Sequence, residues 1–131
     1  MNDSGERTHY ANGFMREPDN SKPAFHLLLP KGIPYADQML TRFAEHMRKG
    51  AIKYSDRNWE RGIGEEELER AKAALLRHVM QYVNGELDED HASAIWFNVM
   101  QIEYITYKLK EQVKYEATKL SDHSGSTDSA S

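Results

Sequence analysis

The sequence predicts an all-α fold: a small helical bundle with an irregular N-terminal arm and a disordered C-terminal tail. Three segments repeat apolar residues at three- and four-residue steps, as the core face of a helix requires. No segment alternates apolar and polar residues persistently enough to predict a sheet. A chain of 131 residues is too short to bury two independent cores, so we expect one domain. We place the arm at residues 1–21, the helical domain at 22–120 and the tail at 121–131.

Composition predicts the arm and the tail. Residues 1–21 carry Asn, Asp, Gly, Ser and Pro at close intervals, so neither a helical nor a strand period develops. The tail from Ser121 is almost entirely Ser, Asp, Gly and Thr, and such residues cannot offset the entropy that ordering would cost. Ala24 to Leu29 is expected to form a short strand or an extended packing segment.

The first two helices are bounded by recognisable start and stop residues. The first follows Pro34 and runs from about Tyr35 to Tyr54, because proline is tolerated in a first helical turn. The second begins near Gly64, where three glutamates suit the positive end of the helix dipole, and it ends at Asn84-Gly85.

The third helix is predicted from residues 88–90 to about Lys119. Few residues connect it to the second helix, so these two helices should pack antiparallel. The predicted core faces are Leu40, Phe43, Ala44, Met47 and Ala51 in the first helix; Leu68, Ala71, Leu75, Val79 and Val83 in the second; and Ile95, Val99, Ile102, Ile105, Leu109 and Val113 in the third.

The composition also restricts the function. Apolar residues make up 39% and charged residues 29%, which predicts a thin core that a second subunit completes, and hence a homo-oligomer. The absence of cysteine excludes disulfides, thiolate zinc sites and a thiol nucleophile. A net charge of −4 argues against binding to a nucleic-acid polymer. Because no apolar run is long enough to cross a bilayer and no secretion signal is recognisable, we expect a cytoplasmic protein without membrane contact.

The turn between the second and third helices carries four carboxylates and an imidazole in residues 86–91. So many acids repel one another unless they remain in water or hold a cation, and Mg²⁺ and Mn²⁺ prefer oxygen ligands. This density therefore indicates a metal site. The alternative, equally compatible with the sequence, is a solvated turn in which Asp90 caps the following helix.

Helical spacing adds a second candidate feature. His91 and Asn98 lie two turns apart on one face with Ala94 between them, which describes a pocket wall. His78, on the second helix, is able to face the same space across the antiparallel pair. A hydrogen-bonded core asparagine and a structural histidine are the alternative interpretations.

The connection between the first and second helices supplies cations and aromatic rings. Lys53 and Arg57 suit phosphate oxygens, and Trp59, next to Asn58, is able to stack on a base. Trp59 is equally able to anchor a long connection in the core. Arg16 and Lys22 add basic residues on the arm, although they indicate nothing by themselves.

Several ordered motifs resemble the phage dATP/dGTP diphosphohydrolase family. They are GAIKYSDRNWE at residues 50–60, ALLRH at 74–78, GELDEDH at 85–91 with Asn98, and the segment 13–28. The family is similar to the MazG-like all-α nucleotide pyrophosphohydrolases, which use Mg²⁺ bound by helix-borne carboxylates and commonly form dimers or tetramers. The resemblance implies removal of pyrophosphate from dATP or dGTP in phage nucleotide metabolism, in the host cytoplasm.

The resemblance and the motifs together assign roles. We expect Glu86, Asp88 and Asp90 to bind Mg²⁺ or Mn²⁺, and Glu45 or His91 to act as the base for the attacking water. On this assignment Asp90→Ala abolishes turnover without unfolding the protein. The residues expected to bind the phosphates, base and sugar of the substrate are Arg16, Lys22, Lys53, Arg57, Asn58, Trp59, His78 and Asn98.

One departure from the MazG-like pattern keeps other functions open. Those enzymes pair carboxylates at ExxE and ExxD spacing, whereas the first helix here offers Glu45 alone, with Arg48 and Lys49 where a second acid is expected. The loss favours a non-catalytic protein that sequesters a nucleotide. A helical interaction protein is a further alternative, favoured by the charged extension from Lys108 to Lys119.

Overall fold

The computed structural model describes residues 8–9, 13, 15–16 and 21–124, and over these ranges the predicted all-α fold is confirmed. The α-helices are α1 (Met39–Lys53), α2 (Glu65–Val83) and α3 (His91–Ser124). Short 3-10 helices span Phe25–Leu28, Tyr35–Asp37 and Asn58–Arg61. None of the helices in the described ranges combines the length and the apolar character needed to cross a membrane.

The chain divides into two compact units, Met1–Ile33 and Pro34–Ser131. In the first unit, the two-residue strands β1 (Thr8–His9) and β2 (Met15–Arg16) pair antiparallel, with Thr8 opposite Arg16. The expectation of an extended segment at Ala24–Leu29 is wrong, since Phe25–Leu28 is a 3-10 helix. A local hydrogen bond from Leu27 N–H to the Ala24 carbonyl (3.0 Å) satisfies the backbone where no strand partner is provided.

Helix boundaries follow the predicted signals closely. Pro34 opens a 3-10 turn, so α1 itself begins only at Met39, and it continues through Gly50 to Lys53. At the start of α2 the Glu67 carboxylate accepts a hydrogen bond from the Gly64 N–H (3.1 Å). This local bond fixes the start of α2 where the sequence predicts it, whereas α1 begins four residues later than the predicted Tyr35.

The end of α2 is a Schellman turn around Gly85. Gly85 has a φ of +79°. Its N–H donates to the Tyr82 carbonyl (3.1 Å), and the Glu86 N–H donates to the Gln81 carbonyl (3.1 Å). The helix therefore stops at Val83, and the chain turns back into α3, which packs antiparallel on α2.

The core is as thin as the composition predicts. Among the described apolar residues, the buried ones are Leu68, Ala71, Ala94 and Ile105, and of these Ile105 is fully inaccessible. The predicted α2 face is buried at its first two positions, but Val83 is 78% exposed. Since α1 has no buried residue, it packs only loosely against the α2–α3 pair.

The buried face of α3 differs from the predicted one. Val99 and Val113 are 46% and 67% exposed, whereas His91, Ala94 and Asn98 are buried. The helix carries apolar residues on two adjacent faces, and the face of small and polar residues is the one that becomes inaccessible. The C-terminal end also differs from prediction: α3 extends to Ser124, so the first four residues of the predicted tail are helical. Residues 125–131 lie outside the described ranges.

Candidate active site

Two histidines meet where α2 ends and α3 begins. The Nδ1 atoms of His78 and His91 are 2.9 Å apart, and the ring centroids are separated by 5.2 Å. His91 is the first residue of α3 and only 2% exposed. Its Nε2 donates to Asp88 Oδ1 (2.8 Å), because a carboxylate accepts and does not donate. The structure thus brings His78 and His91 together as the antiparallel packing predicts.

These hydrogen bonds define the protonation pattern of the pair. With the proton of a neutral His91 on Nε2, its Nδ1 is an acceptor, and Nδ1 of His78 donates to it. Burial lowers the pKa of His78, so its neutral form is favoured. The hydrogen bond from His91 lowers the pKa of Asp88 and keeps that carboxylate ionised.

Asp90 occupies a different environment from the other acids of the turn. Its Oδ1 accepts hydrogen bonds from Arg42 Nη2 (2.7 Å) and the Ser93 N–H (3.1 Å). Its Oδ2 accepts hydrogen bonds from Arg42 Nε (3.0 Å) and Ser93 Oγ (2.9 Å). The Arg42 guanidinium lowers the pKa of Asp90 to about 2.

The partners of Asp90 in the structure differ from the metal ion that the sequence predicts for it. A carboxylate offers about four lone-pair directions, and those of Asp90 are already taken by Arg42 and Ser93. Asp90 caps α3 and joins α1 to it through the ion pair with Arg42. The helix cap was the alternative interpretation of the acidic turn.

The other acids of the turn form potential ligand sets with the histidines. The donor atoms of Glu86, Asp88 and His91 lie within 4.8 Å of one another, and so do those of His78, Glu89 and His91. Glu86 also accepts hydrogen bonds from Gln81 Nε2 (3.1 Å) and Asn84 Nδ2 (2.9 Å), which hold its exposed side chain against the end of α2.

A cavity of about 690 Å³ lies between α1, the middle of α3 and the Trp59 loop, which we define as residues 54–64. Its walls mix apolar, aromatic and cationic side chains. Those that bear on function are His46, Met47 and Arg48 from α1; Tyr54, Arg57, Asn58, Trp59 and Glu60 from the loop; and Phe97 and Gln101 from α3. Of the residues predicted to bind substrate, Arg57, Asn58 and Trp59 line this cavity.

Trp59 both anchors the loop and borders the cavity. Its ring meets Phe97 edge-on at a centroid distance of 5.7 Å and Tyr104 at 5.1 Å. Arg57, immediately before the 3-10 helix, has a φ of +59° and pairs with Glu60 (2.6 Å). Both interpretations of Trp59, core anchor and ligand wall, are thus compatible with its position.

The cavity and the acidic turn are neighbours along α3. His91 precedes Phe97 by six residues and Gln101 by ten, or about 9–15 Å at the rise of an α-helix. His46 lines the cavity, and its ring centroid is 5.8 Å from that of Phe97. An elongated ligand is therefore able to reach from the cavity toward the turn along α1 and α3.

Comparison with family models places the chain in a known family. Residues 13–114, most of the chain, match the model described as dATP/dGTP diphosphohydrolase, N-terminal. The chain belongs to this family. Neither the curated proteins nor the solved structures contain a significant match to it.

Within this diphosphohydrolase-family chain, Glu45 and Lys53 are not among the described residues that line the cavity. Glu45 is exposed, and among the described residues its hydrogen bonds are with Arg48 alone. Lys53 does not line the cavity and lies over the Tyr54 ring, 5.3 Å from its centroid. Arg16 and Lys22 belong to the first unit. The described residues that line the cavity and form the turn belong to the second unit.

Asn98 is buried and incompletely satisfied. It is 5% exposed, and its Oδ1 has no hydrogen-bond partner among the described residues. Buried polar atoms are nearly always bonded, so this acceptor has capacity for a water molecule or a ligand. Asn98 lies on the His91–Ala94 face of α3, as its spacing predicts.

Sequence reasoning missed three polar residues of α1 that structure the site. Arg42 binds Asp90, while His46 and Arg48 line the cavity. The sequence signal for the first two was their i, i+4 spacing, which puts both on the helix face that meets α3. Gln101 was also missed, because the predicted core face of α3 did not include it.

Proposed function

We propose that the chain hydrolyses dATP and dGTP to the monophosphate and pyrophosphate with the help of a divalent metal ion. Family membership over residues 13–114 supports the reaction class. The single structural observation that carries the proposal is the cavity lined by Arg57, Asn58 and Trp59, next to a turn with two sets of potential metal ligands.

The cavity walls suit a nucleotide. Trp59 and Phe97 offer aromatic surface for a purine, and Met47 extends this apolar wall. Arg48 and Arg57 are the cavity cations, and guanidinium groups bind phosphate oxygens in a bidentate manner. Asn58 and Gln101 supply amide groups able to donate to and accept from the base or the sugar.

The turn suits a divalent cation once Asp90 is removed from the ligand set. Glu86, Asp88 and Glu89 provide oxygens and the two histidines provide nitrogens, in two groups that share His91. A bound Mg²⁺ or Mn²⁺ supplies neutralisation of triphosphate charge and acidifies a coordinated water. The cationic residues of the cavity bind the negatively charged triphosphate and direct its phosphate end toward the turn.

A homo-oligomer, a dimer or tetramer, is part of this proposal. Leu76, Met80 and Val83 form an apolar stripe on α2 and are 63%, 64% and 78% exposed. A stripe of this kind on a thin core is usually covered by another subunit. The proposed setting is nucleotide metabolism in the cytoplasm of a phage-infected host.

A panel of deoxynucleoside and ribonucleoside triphosphates tests the function. With Mg²⁺ or Mn²⁺ we expect dATP and dGTP to yield monophosphate and pyrophosphate, and with EDTA we expect no release. Arg57→Gln should raise KM by roughly 10–100-fold, the value of one charge-assisted hydrogen bond. Arg61→Gln is the matched control, since Arg61 ends the 3-10 helix that Arg57 precedes but does not line the cavity. Release of orthophosphate in place of pyrophosphate would contradict the proposed reaction.

One observation favours nucleotide sequestration as a second candidate. Both residues predicted to be the base are engaged, Glu45 by Arg48 and His91 by Asp88 and His78. A protein without a free base binds a triphosphate and does not cleave it. The same panel separates the candidates: sequestration returns intact nucleotide after tight binding, and an enzyme returns products.

A further inference from the structure

The wall of the cavity includes an imidazole that has no part in binding the nucleotide. Among the described residues that line the cavity, His46 is the one histidine. Its side chain is partly buried, and neither ring nitrogen makes a hydrogen bond with another described residue. A neutral imidazole carries one nitrogen with a lone pair that accepts a proton near neutral pH. His46 is therefore chemically available as a base.

The two bases predicted from the sequence are not available in the same way. Glu45 does not line the cavity, and its hydrogen bond from Arg48 (2.9 Å) lowers its pKa, so it is a weak proton acceptor. His91 is 2% exposed. Its Nε2 donates to Asp88, and its Nδ1 accepts from His78. A base for the attacking water needs a lone pair that the water can reach.

His46 lies at the end of the cavity that is nearer to the acidic turn. Arg42, four residues earlier on α1, binds Asp90 of that turn. Four residues advance a helix by about 6 Å and return to the same face, so His46 lies one turn beyond this contact. Its ring centroid is 5.8 Å from that of Phe97, which belongs to the α3 wall of the cavity. Phosphates that extend from the cavity toward the turn therefore pass next to His46.

The cavity cations bring phosphates to the same place. Arg48 follows His46 by two residues on α1, and both residues line the cavity. Arg57 borders the cavity from the Trp59 loop. Since guanidinium groups bind phosphate oxygens, the triphosphate is held in the cavity that contains the imidazole. A volume of about 690 Å³ lies within the usual range of ligand pockets, so a nucleotide and a water molecule fit there together.

We propose that His46 is the general base of the hydrolysis. Its unprotonated nitrogen accepts a proton from a water molecule, and the water oxygen forms a bond to the α-phosphorus. The bond from the α-phosphorus to the bridging oxygen of the β-phosphate breaks, and its electron pair leaves with pyrophosphate. His46 then returns the proton to the solvent. This role rests on the proposed function and deepens it, because an available base is what separates hydrolysis from sequestration.

Pyrophosphate release from dGTP by the full chain tests this role. His46→Gln should lower kcat by roughly 10²–10⁴-fold, which is the usual contribution of a general base. The affinity for a dGTP analogue with a methylene group between its α- and β-phosphates should remain nearly unchanged. His26→Gln is the matched control, because it removes an imidazole that does not line the cavity, and it should alter neither quantity.

The pH dependence of kcat distinguishes a base from a structural histidine. A protonated imidazole accepts no proton, so kcat of the wild-type chain should fall as the pH decreases through the range in which histidine becomes protonated. The residual activity of His46→Gln should lack this fall. On α2, the charge of His46 is a minor cause, after burial, of the lowered pKa of His78. The other charged groups that line the cavity are Arg48 from α1 and Asp56, Arg57 and Glu60 from the Trp59 loop.

Chemical rescue adds a readout that a structural role would not change. His46→Gly leaves space for a small base, and imidazole added to the solution should restore part of its turnover. Where wild type releases pyrophosphate, an unchanged kcat in His46→Gln, or a raised KM at unchanged kcat, would overturn the role of His46 and leave the proposed function intact. A wild-type chain that binds the analogue and releases no pyrophosphate would refute both.

A measurement on the wild-type chain covers variants that fail to fold, as judged by circular dichroism. The dGTP analogue, added to the chain with ¹⁵N-labelled histidines, should shift the ring-nitrogen resonances of at least one of the six imidazoles, since His46 borders the bound phosphates. Absence of a shift in every imidazole at saturating analogue would overturn the proposal.

Discussion

Replacing Asp90 with alanine should lower the free energy of unfolding by about 1.5–3 kcal/mol, through a role that is structural and not catalytic. The carboxylate caps α3 through the Ser93 N–H and Oγ, and loss of such a cap costs about 1 kcal/mol, up to about 2. It also binds Arg42 in a bidentate manner, with the two side chains 39% and 35% exposed. That exposure limits the ion pair to about 0.5–1 kcal/mol.

Two conservative variants separate these contributions. Asp90→Asn retains a capping oxygen and loses the ionic partner of Arg42, so it should cost only about 0.5–1 kcal/mol. Arg42→Met removes the same ion pair and leaves the cap untouched, so it should cost a similar amount. The double variant should be less destabilised than the sum of the two, because both remove one interaction.

Urea denaturation followed by circular dichroism, at one fixed protein concentration, measures these differences. Asp56→Ala serves as the control, since Asp56 is an exposed acid in the Trp59 loop. Equal destabilisation by Asp90→Asn and Asp90→Ala would refute the capping contribution. Loss of all turnover in Asp90→Asn with unchanged stability would support the metal-binding role that the sequence predicts.

Two further results are expected from the same assay. The folded pKa of Asp90 is about 2 and the unfolded value about 3.9, so its contribution to stability is present above about pH 4 and is lost as the pH falls toward 2. Because the side chain is 35% exposed, this contribution amounts to about 1 kcal/mol. Asp90→Asn, measured in EDTA, should remove that part of the dependence of stability on acid. Arg57→Gly should raise the free energy of unfolding by about 0.5 kcal/mol, because glycine adopts a φ of +59° without strain. The same variant should weaken nucleotide binding, because it removes the guanidinium. A decrease in the free energy of unfolding of more than about 1 kcal/mol would show that the side chain stabilises the loop.

The bounds of the helices were accessible from local sequence. Three glutamates after Gly64 and the glycine at position 85 act on backbone groups within one turn, and the structure places the α2 termini there. The exception is the segment around Phe25, where a short apolar run is compatible with either an extended or a 3-10 backbone. Propensity alone did not separate these two outcomes.

The buried face of α3 was harder to predict from the sequence. Ile95 and Val99 continue the apolar period, but the positions that become inaccessible include His91 and Asn98. Apolar side chains follow a helical period on more than one face of α3, and the packing partners decide which face is covered. Hydrophobicity therefore predicted a helix correctly and chose its core face only in part.

The candidate site shows the same division. The crowding of acids before His91, and the loop with Arg57 and Trp59, were visible as motifs in sequence. The different roles of those acids were not visible in the sequence, because they depend on Arg42, which is 48 residues from Asp90. The guanidinium of Arg42, which belongs to another helix, determines which carboxylate is neutralised and which carboxylates remain available to a metal.

The sequence by itself determined the helical class, the helix ends and the motifs of the dATP/dGTP diphosphohydrolase family, since each depends on neighbouring residues and on their order. Only the tertiary structure decided that Asp90 is a cap, that His78 and His91 share one space, and that Trp59 borders a cavity. Such roles depend on distances between residues far apart in the chain, and packing sets those distances.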